Sequence, residues 1–266
     1  MSLERYKEEI GWLVLMQING IGPAAMREIN DKYCILDFIS ELDEECIQKL
    51  DWSNTHKERI LKHYVDNKNT IHKKAEQYQL YCRKNNIGTL LPDDDVMQNL
   101  IKEFKGIPPI LFYKGNIHLL NQNIHRAAVV GARRCTREGK EKSIAIASQL
   151  VSENVVVVSG MAKGIDAYAH TAALKAGGTT IAVLGNGIDI CYPPEHEGLM
   201  QTIIEKGLVI SQFLPGAMPR QYQFPVRNRL IAGLSEKVYV IEASRNSGTN
   251  TTVKFARENS IVVEEM

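Results

Sequence analysis

The segment FPVRNRLIAGLS, residues 224–235, places two guanidinium groups, Arg227 and Arg229, behind a proline and ahead of an apolar run. Charge beside a core is costly unless it is paired or faces a charged ligand. Three further segments point to the same ligand chemistry. GARR (131–134), SGMAKGID (159–166) and GNGID (185–189) each follow an apolar run and each contain glycine. Glycine lets a ligand approach the backbone, and the free N–H groups of a following helix attract anions. EASRNSGTNTT (242–252) has the same character. Arg133, Lys163, Arg227 and Arg229 are therefore read as cations for phosphate rather than as braces of the fold. Being two apart on a helix, Arg227 and Arg229 point to different sides. One faces the ligand while the other pairs with a carboxylate such as Glu242. Phe224 reads two ways: as a surface on which a base stacks, worth ~1–3 kcal/mol, or as a core phenylalanine.

Other chemistries fit less well. Asp166 and His170 are four apart and share a helix face, an arrangement suited to acid–base work. No serine, cysteine or second acid stands beside them, so the pair reads as a cap and a buried imidazole. GARRCTREG is not the GxGxxG of a dinucleotide site, and its two arginines would crowd a pyrophosphate. The five cysteines are scattered without a CxxC, against both zinc and a disulfide framework. The aspartates at 93–95 diverge around a helix start rather than converge on a metal. Neither cofactor nor metal is expected.

These residues need a frame. From Arg126 onward, apolar β-branched runs (AAVVGA, VVVVSG, TTIAVLG, LVISQF, KVYVIEA) alternate with helical segments. That alternation predicts a parallel sheet covered on both faces, with right-handed crossovers, in a doubly wound Rossmann-like α/β domain. In such a sheet ligands sit beyond the carboxyl ends of the strands, where the glycine-rich segments fall. Before it, residues 1 to about 85 read as helices. NGIGPAAMREI suggests either a helix-hairpin-helix turn or a plain helical corner; the corner is preferred, because Arg27 is the one cation just past the turn. The long segment HKERILKHYVDNKNTIHKKAEQYQLYCRKNN reads as a surface helix or pair. The expected domains are a small helical one over 1–84 and a Rossmann-like one over 85–266.

The composition, 44% hydrophobic and 24% charged over 266 residues, is that of a soluble globular chain. With a net charge of +1, a polyanion site must be a local pocket rather than a charged face. MSLERYKEEI is charged from its start, unlike a signal peptide. No apolar run approaches ~18 residues. A cytoplasmic location without membrane attachment is expected.

Five blocks, VVGARRCT, SGMAKGIDAYAH, GTTIAVLGNGIDICYPPEH, FPVRNRLIAGLS and VYVIEASRNSGTNTT, in this order within residues 85–266, resemble the DNA-processing protein A family (DprA, also called Smf). The resemblance implies an extended Rossmann fold that binds single-stranded DNA. It also implies protection of incoming strands during natural transformation in competent cells, loading of the RecA recombinase for recombination, and a homodimer. It implies no enzymatic activity. Carried over by motif, the DNA pocket uses Arg133, Ser159, Gly160, Lys163, Phe224, Arg227 and Asn228, with Gly164 and Arg229 beside them. The helical region resembles the SAM-like or helix-hairpin-helix domain common in the family.

The chain departs from the family pattern in several places. Gln212 stands where a glutamate is usual, His196 where an asparagine is common, and Lys163 where arginine is commoner. SGTNTT differs from the usual SGSL-TA. The stop at Met266 leads us to expect an incomplete last strand and no winged-helix domain after it. Two competing readings remain. Phosphoribohydrolases resembling the LOG enzymes share the topology, but Thr252 occupies the place of their catalytic glutamate. A nucleotide-sensing module without catalysis is the other.

Overall fold

The computed structural model describes residues 2–40, 42, 44–104, 106–243 and 248–266. It divides into two compact units: Met1–Pro92 with Pro108–Ile110, and Asp93–Ile107 with Leu111–Met266. The division at Pro92 lies a few residues beyond the sequence boundary drawn at 84/85.

The first unit contains helices α1 (Leu3–Leu15), α2 (Pro23–Lys32), α3 (Ile35–Ser40), α4 (Glu44–Gln48) and α5 (Asn54–Lys84), then a short strand β1 (Gly88–Leu90). Ser2 caps α1 by accepting from the Arg5 amide at 3.1 Å, as a serine at that position does. Pro23 opens α2, where its missing N–H costs nothing. The segment read as a surface helix or pair is one 31-residue helix. Ile60, Tyr64, Ile71, Ala75 and Cys82 recur along it at helical spacing and are buried, so it also contributes a stripe to the core. The NGIG turn is braced by α5: the Asn19 amide donates to His63 Nδ1 at 3.3 Å. Arg59 and His56 crowd the place where a side chain on Gly20 would lie. The arginine beside this corner, Arg59, comes from a helix distant in sequence.

The second unit contains α6 (Asp95–Glu103), β2 (Leu111–Gly115), β3 (Arg126–Gly131), α7 (Arg137–Ser152), β4 (Val156–Ser159), α8 (Ile165–Lys175), β5 (Thr180–Leu184), α9 (Glu197–Lys206), β6 (Leu208–Ser211), α10 (Gln223–Gly233), β7 (Lys237–Ile241), α11 (Thr249–Glu258) and β8 (Val262–Glu265). Its strands lie in the order β2-β6-β5-β4-β3-β7-β8. All neighbours pair in parallel except β2, which runs antiparallel to β6. This is the expected Rossmann-like, mostly parallel sheet. Ala127 and Val129 of β3 pack with Ile146, Ala147 and Leu150 of α7 and Ile165, Ala169 and Ala173 of α8. The alternate residues Ala128 and Val130 are buried too, so β3 is covered on both faces, as a continuous apolar run requires. The last strand is in register with β7, from Lys237 opposite Val262 to Val240 opposite Glu265. An ion pair between Arg257 and Glu265 at 2.7 Å ties it to α11.

The strand order fixes where a ligand belongs. Beginning at β3, the chain winds outward through β4, β5 and β6, then returns to place β7 on the other side of β3. The chain thus leaves β3 toward β4 and β7 toward β8, in opposite directions across the sheet, and the crevice of such a sheet lies at that switch point.

Among the described residues, no helix is long and apolar enough to cross a membrane. The five cysteines are free thiols.

Candidate nucleic-acid interface

A cavity of about 370 Å³ lies at that switch point. Gly131, Ala132, Arg133 and Arg134 after β3 form one wall, and Gly248, Thr249 and Thr252 after β7 form another. Phe224, Arg227 and Asn228 of α10, Ala162 of the turn after β4 and Asp166 of the first turn of α8 also line it. Ser244 and Ser247, expected in the turn after β7, lie outside the described residues.

Arg227 forms the floor. It is only 4% exposed. One terminal nitrogen donates to Gly160 O at 2.5 Å and to Val183 O. Nε donates to Asn228 Oδ1 at 3.0 Å. Gly160 is required by this contact, since a β-carbon there would stand 2.7 Å from the guanidinium carbon. Burial lowers the Arg227 pKa to about 10, opposed by the charge of Asp166 and reinforced by Arg133. The group thus stays cationic at neutral pH. Asp166 is buried as well and accepts from the Gly160 amide at 3.2 Å and the Ala162 amide at 3.3 Å. Burial raises its pKa, opposed first by Arg227. Asn228 uses both ends of its amide internally, since its Nδ2 donates to Gly248 O at 2.8 Å. It links α10 to the loop that opens α11.

Above this floor stands Phe224, half-buried. The Arg133 guanidinium lies 5.3 Å from its ring centroid and that of Arg227 5.8 Å. These are cation–π distances. Phe224 is thus a half-buried ring at the wall of the cleft, flanked by two guanidinium groups.

Four of the nine expected site residues line this cavity, Arg133, Phe224, Arg227 and Asn228, and a fifth, Gly160, packs beneath it against Arg227. The other four do neither. Ser159 is fully buried and donates to Val129 O at 2.7 Å, so its hydroxyl is spent between two strands. Lys163 is ion-paired with Glu195. Gly164, at φ +76°, lets the chain pass close to Ala132 O and Arg133 O; it shapes the turn and does not line the cavity. Arg229 is exposed and outside the cavity lining. Its expected partner Glu242 accepts from the Thr136 amide at 2.7 Å and from the Thr136 hydroxyl instead. Sequence reasoning missed Arg134 and Thr249 as lining groups. Arg134 adjoins Arg133 in the motif already quoted and was within reach of it.

Two catalytic possibilities can be checked against the same geometry. Thr252, in the position of the phosphoribohydrolases' glutamate, lines the cavity and is 1% exposed. Among the described lining residues the only carboxylate is Asp166, which the two amides hold. His170 does not meet Asp166. Its Nδ1 lies 2.7 Å from Thr180 Oγ1, and burial lowers its pKa to about 3.

The family model described as DNA recombination-mediator protein A matches residues 88–264, well over half of the chain. The chain is 34% identical over 253 residues to the protein Smf of Synechocystis sp., covering 94% of this chain and 62% of the relative. It is 44% identical over 165 residues to the DNA processing protein DprA of Streptococcus pneumoniae, covering 62% of this chain and 57% of the relative. It thus spans about three fifths of these relatives' length. Among solved structures, the X-ray structure of that Streptococcus DprA superposes with a TM-score of 0.74 at 33% identity, over 98% of this chain and 85% of the other. A Helicobacter pylori DNA processing protein A, described with a unique single-stranded DNA binding mode, gives a TM-score of 0.60 at 28% identity, over 67% of this chain and 80% of the other.

Proposed function

The chain belongs to the DNA recombination-mediator protein A family, and from that premise we propose that its cleft binds single-stranded DNA with little regard to sequence. One observation carries the reading: at the switch point of the sheet, Arg133 and Arg227 flank the ring of Phe224 at the wall of an open cavity. Cations take phosphates and the ring takes a base, a combination that tolerates any base because each has a π-face. The description of the Helicobacter relative supports the same ligand. The chain binds rather than catalyses, since Thr252 lacks the carboxylate that glycosidic cleavage requires. In the cell we assign it to the cytoplasm as a homodimer that protects incoming strands during natural transformation and passes them to the RecA recombinase.

The test is titration of a labelled oligo-dT against a duplex of equal length. We expect the single strand to bind more tightly and Arg133→Ala to weaken it by at least ~1 kcal/mol, roughly fivefold. Arg133 is exposed, so its removal leaves the fold intact. Equal affinity for the duplex, or unchanged affinity in Arg133→Ala, would contradict the proposal. Release of adenine from AMP would transfer the cleft to the hydrolase reading.

A further inference from the structure

We propose that Tyr192 forms a second base-stacking subsite, adjoining Phe224 and serving the neighbouring nucleotide of an unpaired strand. The inference rests on the reading of the cleft as a single-strand site. It begins from an exposed aromatic beside the cleft. Tyr192 is 39% exposed, yet its ring centroid lies 5.7 Å from that of Phe224, with the planes inclined by 35°. Phe224 itself is fixed. Gly185, at the end of β5, leaves room for its ring, which stands 2.7 Å from where a β-carbon would be.

The loop bearing Tyr192 is equally fixed. Asn186, 1% exposed, donates from Nδ2 to Gly187 O at 3.0 Å and Ile190 O at 2.6 Å. Its own carbonyl accepts from Ser211 Oγ at 2.5 Å. The Gly187 amide donates to Ala217 O at 2.8 Å, and the Gly216 amide to Asp189 Oδ1 at 2.8 Å. An exposed ring on a braced loop is a preorganised contact: little side-chain or loop entropy remains to be lost on binding.

The spacing selects the ligand. Bases stacked in a duplex are about 3.4 Å apart along each strand. Two rings 5.7 Å apart and inclined cannot both cap bases held at that rise. They suit two bases drawn apart, each on its own ring, as an extended single strand presents them. Tyr192 thereby contributes to the discrimination of single from double strand, whereas Arg133 contributes phosphate affinity to either.

The experiment measures fluorescence anisotropy of the wild type, Tyr192→Ala and Tyr192→Phe with oligo-dT and with an abasic strand of equal length. Loss of one stacking platform predicts that Tyr192→Ala binds oligo-dT about 5- to 150-fold more weakly. Tyr192→Phe should bind as the wild type does, and the abasic strand should bind equally to all three. The salt dependence should be unchanged, because no phosphate contact is lost. As an independent readout, Tyr192→Trp should show indole fluorescence quenched by oligo-dT beyond any change in the wild type. Wild-type affinity in Tyr192→Ala, an equal loss on the abasic strand, or no added quenching in Tyr192→Trp would each overturn the subsite. Absence of wild-type binding to any single strand would overturn the reading of the cleft and the subsite with it.

Discussion

Arg227 keeps its charge inside the protein because carbonyls of two strand ends, Gly160 and Val183, accept from it and Asp166 supplies an opposite charge nearby. Removing one member of such a buried set leaves the other uncompensated, at a typical cost of ~3–5 kcal/mol. Substitution of Arg227 therefore tests stability as much as binding, and Arg133 is the cleaner probe of the cleft. His170 shows the opposite solution to burial, which is to stay neutral. Thr180 Oγ1 donates to Val157 O at 2.7 Å, so it accepts from His170 Nδ1, and the proton sits on that nitrogen. Nε2 has no partner. Protonation would place a charge there with nothing to accept it, and burial, followed by the charges of His196 and Arg227, lowers the pKa from 6.5 to about 3. The unfolded chain then takes up the proton first. Stability from this residue is complete above pH ~6.5 and is lost as pH falls toward 3, by up to about 1.4 kcal/mol per pH unit. In His170→Leu, Thr180 keeps its bond to Val157. Urea unfolding between pH 6.5 and 5 should show the wild type losing stability more steeply than this variant; parallel slopes would refute the assignment.

Among the elements, α7 has its start tied to a neighbouring strand end. Thr136 Oγ accepts from the Gly139 amide at 3.1 Å, capping the helix, while its hydroxyl and amide donate to Glu242 at the end of β7. Those bonds, the hydroxyl's first, hold the Glu242 carboxyl below the usual carboxylate range. Loss of the cap in Thr136→Ala should cost about 1 kcal/mol, read as a lower urea midpoint, and Thr136→Ser should restore most of it. This tie explains a limit of the sequence. The type of Glu242 suggested an arginine partner, but its partner is a threonine more than a hundred residues away, and nothing local encodes that distance. The strands were legible because β3, β4, β5 and β6 are buried on both faces and read as near-continuous apolar runs. The start of α10 was not. Proline suits a first helical position, which would start the helix at Pro225, but it begins at Gln223. Proline is tolerated throughout a first turn, whose N–H groups have no helical partner, so it marks the start only to within a few residues. Within the site, the cationic type of Arg227 was legible and its burial was not, because the carbonyls that hold it lie just past β4, at Gly160, and within β5, at Val183. Tyr192 was hidden for a related reason: the bonds of Asn186 decide where that loop points.

For the whole molecule, the relevant quantity is charge. A chain with a net charge of +1 cannot gather DNA by a long-range field, so its salt dependence reports the cleft alone. Arg133, Arg134 and Arg227 line it, while Lys163 is neutralised by Glu195. Each phosphate neutralised on a single strand contributes about −0.7 to the slope of log affinity against log salt. Two to three contacts predict a slope of about −1.4 to −2.1, and Arg133→Ala should reduce its magnitude by one such step. A series of oligo-dT titrations across potassium chloride concentrations measures both. A slope steeper than about −4 would require cations outside the cleft, with the exposed lysines of α5, such as Lys73 and Lys74, the first to substitute. A slope near zero would leave stacking as the sole source of affinity and remove the arginines from the interface.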